Sequence, residues 1–251
     1  IGRPVRPLRR SLPLGLLAGA LILTRPEGAL LAGLVGLDPL ARLAQARRRL
    51  DRATLLYGLG LVAGCLILLI PYLAFNLRHS GSLFPNTFYA KQTEYAAMIA
   101  GWPLPARWGR VVAPTLVGAP LLLIPGFLWA AWLALRASWA RWAGRPATDG
   151  PLSALPLLYW LAFTLVYAAR LPVAYQHGRY LMPTIPLLIV LGLGGTALLL
   201  ARVGSAGRRR LLQAACGFAL ALLALGFLAM GAGGYAADLA FIDGEMVAVA
   251  R

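Results

Sequence analysis

The sequence predicts an all-α fold, a polytopic bundle of transmembrane helices. Of its 251 residues, 60% are hydrophobic and 13% are charged, whereas soluble domains are about half apolar and about a quarter charged. The apolar residues also form blocks of roughly 20 residues, the length that crosses a bilayer as a helix. These two observations exclude a soluble enzyme, a disordered chain and a disulfide scaffold.

Five apolar segments can each cross a bilayer, and a further one is interrupted. The uninterrupted segments cover residues 54–77, 111–135, 152–171, 181–201 and 211–232. The interrupted one, at 11–40, contains the polar break Arg25-Pro26-Glu27-Gly28. Pro26 lacks a backbone donor and Gly28 loosens the chain, so we expect a broken pair of short helices here. Because non-helical backbone at membrane depth must lie inside protein or beside water, the break should face a cavity.

The net charge of +16, from 24 Lys+Arg against 8 Asp+Glu, follows the pattern that orients membrane proteins. A nucleic-acid binder concentrates its basic residues on one solvated face, whereas most arginines here lie in short patches between apolar segments. One alternating assignment places these patches in the cytoplasm, as the positive-inside rule requires. We therefore expect membrane lipids as partners, and no nucleic acid.

Arg25 and Glu27 are the first candidate binding residues. An arginine at the membrane centre costs about 2.5–3.5 kcal/mol, so it usually faces a cavity or pairs with a partner. In one interpretation Arg25 binds an anionic group of a ligand, and Glu27 orients Arg25 or contacts a hydroxyl. In the alternative, Arg25 and Glu27 form a structural pair that holds the broken helix.

The outer loop 78–110 carries the second set. A helix near 86–100 is expected to lie on the outer membrane surface, as an interfacial anchor. The expected bilayer-facing residues are Phe88, Tyr95 and Ile99, and the expected water-facing residues are Lys91, Gln92 and Glu94. The loop is alternatively a substrate-binding lid with a polar, cationic set made of Arg78, His79, Asn86, Tyr89 and Lys91.

The third set lies between two apolar segments, at His177, Arg179 and Tyr180. Positive charge is unfavourable on this outer side, and a bound phosphate would offset it, because arginine offers phosphate a planar fork of donors. The alternative is that these side chains extend to the membrane interface without a ligand. His79 and His177 are the only histidines, so a zinc site is not expected.

Three segments together resemble one protein family. They read LTRPEGALLAGL, NLRHSGSLFPNTFYAK and HGRYLMPTIPLL. In this order they resemble bacterial membrane glycosyltransferases of the GT-C superfamily, in particular the arabinofuranosyl- and mannosyltransferase-like members that use polyprenyl-phosphate sugars. The terminal FIDGEMVAVAR resembles the start of the extracytoplasmic C-terminal segment of such proteins. The implied division is a transmembrane region at 1–235 and an extracytoplasmic segment at 236–251.

The resemblance implies an enzyme of the bacterial inner (plasma) membrane, multi-pass, with an extracytoplasmic active face. It would move a hexose or a pentose from a polyprenyl-phosphate donor to a glycan or lipid acceptor in cell-envelope synthesis. The catalytic carboxylate of the family is expected N-terminal to Ile1, so the chain is expected to be a fragment. No cofactor is implied with certainty, and a divalent metal is left open. Donor phosphate and substrate would bind the ten residues Arg25, Glu27, Arg78, His79, Asn86, Tyr89, Lys91, His177, Arg179 and Tyr180.

Two other functions remain open. A flippase or transporter for lipid-linked sugars would use the same cationic cavity without chemistry. A structural membrane subunit would need none of these charged side chains for activity.

Overall fold

A computed structural model describes residues 7–45, 52–143, 154–172, 176–242 and 244. Every regular element in these ranges is helical, which confirms the all-α prediction for them. The α-helices are α1 (Pro7–Thr24), α2 (Gly28–Gln45), α3 (Arg52–Ser80), α4 (Asn86–Glu94), α5 (Ala96–Gly101), α6 (Leu104–Val112), α7 (Pro120–Trp142), α8 (Leu155–Arg170), α9 (Ile185–Leu200) and α10 (Ala206–Phe241). Two 3₁₀ helices cover Ala113–Leu116 and Gln176–Thr184.

Four helical segments are long and apolar enough to cross a membrane, judged by length and composition. They are Arg52–Ser80, Pro120–Ala140, Tyr180–Leu200 and Ala206–Phe241. The remaining predicted span, 152–171, forms the shorter apolar helix α8. The long helices expose their apolar side chains, and Met230 on α10 is 77% exposed. Large exposed apolar surfaces of this kind indicate a membrane protein.

The predicted span at 111–135 begins too early. Residues Val111 and Val112 close α6, a 3₁₀ turn follows, and α7 starts only at Pro120. Gly118 adopts a φ of 81°, a left-handed conformation that side chains with a Cβ rarely take. The continuous apolar composition concealed this turn, because hydropathy does not report backbone conformation.

The last helix is longer than its predicted span at 211–232. Ser205 caps α10, since its Oγ accepts a hydrogen bond from the Arg208 backbone N–H at 3.3 Å. The helix has 36 residues, about 54 Å at 1.5 Å per residue, so it exceeds the roughly 30 Å hydrocarbon core of a bilayer. It continues through residue 235 to Phe241.

The predicted break between two short helices is present. α1 ends at Thr24 and α2 begins at Gly28, with a turn over Arg25-Pro26-Glu27 between them. The Gly28 backbone N–H donates to the Arg25 carbonyl at 2.8 Å. A Cβ added at Gly28 would lie 2.7 Å from the Leu21 carbonyl oxygen. A glycine is therefore required where α2 starts, because the chain passes directly over the last turn of α1.

The chain divides into two compact units, the first made of residues 1–112 and 133–184 and the second of 113–132 and 185–251. In the first unit α1 packs along α3 through small residues on both helices. A Cβ added at Gly19 would meet the Cys65 carbonyl oxygen at 2.9 Å, and one at Gly64 would meet the Leu16 backbone nitrogen at 2.8 Å. The small-residue patterns on these helices thus allow close backbone approach.

The buried core of the first unit lies between α6, α8 and the 3₁₀ helix Gln176–Thr184. It contains Val111, Phe163, Tyr167, Ala168 and Leu181, each at most 6% exposed. Leu30 of α2 packs against the same core. Because Leu30 is only three residues from Glu27, this core fixes the position of the break relative to α8.

In the second unit the start of α7 packs against α9 through glycines. A Cβ added at Gly195 would collide with the Gly126 carbonyl oxygen and would lie 3.1 Å from the Ala130 Cβ. Beyond α9, the Arg202 guanidinium lies over the Trp129 ring, 4.3 Å from its centroid. This cation–π contact links the α7 segment to the turn after α9.

Candidate substrate-binding site at the break between two helices

The Glu27 carboxylate lies at the break and faces α8. One of its oxygens, Oε1, accepts a hydrogen bond from the Tyr167 hydroxyl. The other oxygen, Oε2, is buried and has no hydrogen-bond partner among the described residues. Tyr167 is 6% exposed, so the bond is made inside the protein. Tyr167 therefore holds the carboxylate in one orientation, in which Oε2 has no donor from the described residues.

Arg25 lies in the same turn, and its side chain is exposed. The charges of Arg25 and Glu27 both act on the hydroxyls of Tyr159 and Tyr167. The partner that the structure gives Glu27 is Tyr167 rather than Arg25. This leaves the Arg25 guanidinium, with its five N–H donors, accessible for an anionic group.

The tyrosine that bonds the carboxylate belongs to a series of contacting aromatic rings. The Tyr167 ring stacks on Phe163, with ring centroids 4.9 Å apart and an interplanar angle of 13°. Tyr159 lies against the other end of Phe163, with centroids 5.7 Å apart. Tyr180, a predicted site residue, has its ring centroid 6.3 Å from that of Tyr167. The site thus joins Arg25 and Glu27 with tyrosines from two other elements.

Sequence reasoning missed Tyr159 and Tyr167, although a signal was available. Tyr159, Phe163 and Tyr167 are spaced by four residues, so they lie along one face of α8. An aromatic stripe of this kind is typical of ordinary helix packing, which is why it does not stand out in an apolar chain. Its proximity to Glu27 comes only from the packing of α2 on α8.

Two side chains of α6 hold α8 on either side of Tyr167. The Trp108 indole Nε1 donates to the Thr164 hydroxyl at 3.0 Å, and the Arg107 Nη1 donates to the Ala169 carbonyl at 3.3 Å. Arg107 is only 9% exposed, and the last carbonyls of a helix carry partial negative charge that favours a cation. Arg107 and Trp108, which are not among the predicted site residues, therefore fix the helix that carries Tyr167.

The second predicted set lies at the end of α3 and in α4. Arg78, His79, Asn86 and Tyr89 are exposed there. The His79 ring stacks on Phe75, with centroids 4.2 Å apart, and its Nδ1 lies 3.0 Å from the Phe75 carbonyl oxygen. None of the contacts described for these residues joins them to Glu27 or Tyr167. Their role in binding stays a prediction.

Three predicted site residues have side chains outside the part of the chain that the structure describes. They are Lys91, His177 and Arg179. The backbone of residues 176–184 is described, and it forms the 3₁₀ helix that packs against α8. Tyr180 is therefore the one member of the third set whose side chain is described.

The predicted interfacial helix near 86–100 is two helices. α4 ends at Glu94 and α5 starts at Ala96, with Tyr95 in the turn between them. Tyr95 is 7% exposed, so the expectation that it faces the bilayer was wrong. A helical period extended over the whole segment placed Tyr95 on the apolar face, whereas the turn directs it into the protein.

The described part of the chain contains no group of three or more His, Cys, Asp or Glu side chains that could hold a metal ion. Comparisons with protein-family models, with curated proteins and with solved structures each found no match.

The α6–α8 attachment can be tested with Trp108→Phe. This change keeps an aromatic ring but removes the donor to Thr164, so the free energy of unfolding should fall by about 1 kcal/mol, the usual contribution of one hydrogen bond. The matched control is Trp102→Phe, because Trp102 is 44% exposed; it should change stability by less than about 0.5 kcal/mol. Denaturant unfolding in detergent micelles gives both values. Equal losses in the two variants would contradict the attachment.

Proposed function

We propose that the protein is a membrane glycosyltransferase. It moves a sugar from a polyprenyl-phosphate donor to an extracytoplasmic glycan or lipid acceptor in cell-envelope synthesis. The proposal rests on one observation. An exposed Arg25 and a Glu27 carboxylate that Tyr167 holds by a hydrogen bond lie at the same helix break. This arrangement suits a ligand that has both an anionic group and hydroxyl groups.

Each part of such a donor has a suitable environment in the first unit. The polyprenyl chain is apolar, and α3 exposes large apolar side chains such as Leu59 at 63% and Phe75 at 58%. The phosphate is an anion, and Arg25 offers it a planar set of N–H donors. The sugar carries hydroxyls, and a carboxylate is an acceptor for them. The resemblance of LTRPEGALLAGL and the two other segments to GT-C glycosyltransferases is the reason for choosing this donor class.

The proposed reaction is a substitution at the anomeric carbon. The oxygen of an acceptor hydroxyl forms a bond to that carbon, the bond from the carbon to the phosphate oxygen breaks, and its electron pair leaves with the polyprenyl phosphate. The hydroxyl proton passes to a carboxylate general base of the enzyme. Arg25 stabilises the negative charge that grows on the phosphate in the transition state, and Glu27 serves in binding.

We further propose that the chain is a multi-pass protein of the bacterial inner membrane. The basic patches between apolar helices support an orientation with those patches in the cytoplasm. In that orientation the break opens to the extracytoplasmic side. Arg78, Lys91, His177 and Arg179 belong to the same side and would add positive charge near the donor phosphate.

The test is sugar transfer by the full-length protein carrying Arg25→Ala. The assay uses phosphatidylcholine vesicles and a series of polyprenyl phosphates, each bearing one radiolabelled pentose or hexose. Loss of a charge-assisted contact of about 1.5–3 kcal/mol should lower the rate at least about tenfold, and Arg25→Lys should retain part of the activity. The control is Arg210→Ala, an exposed arginine on α10, which should transfer sugar normally.

Two results would count against this function. Transfer at the unchanged rate by the Arg25→Ala protein would remove Arg25 from the phosphate site. Binding of the donors by the unmodified protein without any transfer would instead favour the flippase, which would use the same binding residues without chemistry.

A further inference from the structure

The free oxygen of the Glu27 carboxylate is the feature of the site that still lacks a partner. Tyr167 occupies Oε1, while Oε2 is buried and has no partner in the described part of the chain. Buried polar atoms in native proteins nearly always have a hydrogen-bond partner, and a charged group left without one costs more than a neutral group. An oxygen held in this way is suited to accept a hydrogen bond from a ligand.

The chemistry of the ligand group follows from the atoms around Oε2. A carboxylate oxygen only accepts hydrogen bonds, so the ligand must donate one. A phosphate diester has no hydrogen to donate and carries a negative charge, which the carboxylate repels. A hydroxyl is neutral and donates, so it fits Oε2.

The neighbouring rings favour a hydroxyl that belongs to a sugar. Tyr167 bonds the carboxylate, the Tyr180 ring lies 6.3 Å from the Tyr167 ring, and Tyr159 lies one Phe163 ring further along α8. Ligand sites commonly combine aromatic walls with a few fixed polar groups that set the orientation of the ligand. Phe163 and Tyr167 are buried in the core, whereas Tyr159 and Tyr180 are partly exposed. The C–H groups of a sugar ring would therefore contact Tyr159 or Tyr180, and its hydroxyl would reach Oε2.

We infer that Glu27 is a sugar-hydroxyl subsite, in which Oε2 accepts a hydrogen bond from a ligand hydroxyl and Tyr167 is the positioning residue that holds the carboxylate. This inference rests on the proposed function, and it assigns the two charged residues of the break to different chemical groups of the substrates. Arg25 contacts the phosphate and Glu27 contacts the sugar. The hydroxyl belongs either to the sugar of the donor or to the sugar of the acceptor.

The probes are polyprenyl phosphate with and without an attached sugar, bound to the full-length protein in phosphatidylcholine vesicles. The variant is Glu27→Gln, whose amide oxygen can still accept from Tyr167 while its amide nitrogen takes the place of Oε2. If the hydroxyl belongs to the donor, Glu27→Gln should weaken binding of the glycosylated lipid about tenfold and leave binding of the bare lipid unchanged. If it belongs to the acceptor, donor binding stays unchanged and the KM for the acceptor rises by a similar factor.

Two controls distinguish a failure of the subsite from misfolding of the variant and from a failure of the proposed function. The double variant Glu27→Leu with Tyr167→Phe removes both bonded groups together, so it should fold and show the same selective loss. Suppose that the unmodified protein transfers sugar. If Glu27→Gln then changes neither lipid binding nor the acceptor KM, or weakens the binding of both lipids equally, the subsite is wrong while the proposed function stands. If the unmodified protein binds neither lipid, the proposed function fails and the subsite with it.

Discussion

Replacing Gly126 with Leu should separate α7 from α9 and lower the free energy of unfolding of the second unit by about 3 kcal/mol. A Cβ at Gly126 would collide with the Gly192 carbonyl oxygen and would lie 2.6 Å from the Thr196 backbone nitrogen. Backbone atoms cannot rotate away as side chains do, so the helices themselves must move. Overpacking of a tight contact costs typically about 1–3 kcal/mol, and helix association in lipid depends on close packing of small residues.

The measurement is unfolding of the protein in mixed micelles, followed by helicity as the denaturing detergent is increased. The matched control is Gly226→Leu on α10, where an added Cβ meets no atom within 4 Å. That variant should unfold within about 0.5 kcal/mol of the unmodified protein, as is usual for exposed positions. Helix propensity favours leucine over glycine at both positions, so equal losses at Gly126 and Gly226 would show that the loss does not come from the contact between α7 and α9.

Replacing Tyr167 with Phe should lower the free energy of unfolding of the first unit by about 2 kcal/mol. The ring and its stacking on Phe163 are kept, and only the hydroxyl bonded to Glu27 is lost. The carboxylate then has neither oxygen bonded in the described structure, because Oε2 already lacks a partner. Hydrogen bonds to charged groups contribute about 1.5–3 kcal/mol, and a buried acceptor left without its donor loses at least that much.

A double-mutant cycle separates this bond from other effects of the two residues. Glu27→Leu leaves the Tyr167 hydroxyl without its acceptor, and the double variant removes both groups. The loss in the double variant should therefore be smaller than the sum of the two single losses, with a coupling energy between about 0.5 and 3 kcal/mol. Tyr159→Phe, on the same face of α8, is the control. The Tyr159 hydroxyl interacts with the charge of Glu27 but makes no hydrogen bond to it in the described structure, so its coupling to Glu27→Leu should be clearly smaller than that of Tyr167. A coupling near zero for Tyr167 would contradict the bond.

The helices and the break could be predicted because their signals are local. Apolar runs of roughly 20 residues predict helices in a membrane whatever their neighbours are. Pro26 and Gly28 interrupt the helix through their own backbone chemistry, and the structure ends α1 and starts α2 around them. The start of α7 was predicted too early because an apolar run continues through the turn that ends with Pro120.

The partners of the site residues could not be predicted in the same way. Arg25 and Glu27 stand out as charges within an apolar segment, whereas Tyr167 is one aromatic residue among many and is 140 positions from Glu27 along the chain. Tyr95 shows the same limit, because a single turn between α4 and α5 directs it into the protein. Which side chains meet depends on how separate helices pack, and periodicity along one helix does not report that.

The sequence alone therefore determines a chain of long apolar helices with a polar break that carries both charges, since helix formation and hydropathy are properties of adjacent residues. Only the tertiary structure decides that the break lies on α8, that Tyr167 binds Glu27, and that Arg25 stays exposed. The reason is physical. A carboxylate in an apolar protein must find a donor, and the packing of α2 and α6 on α8 decides which donor is within reach.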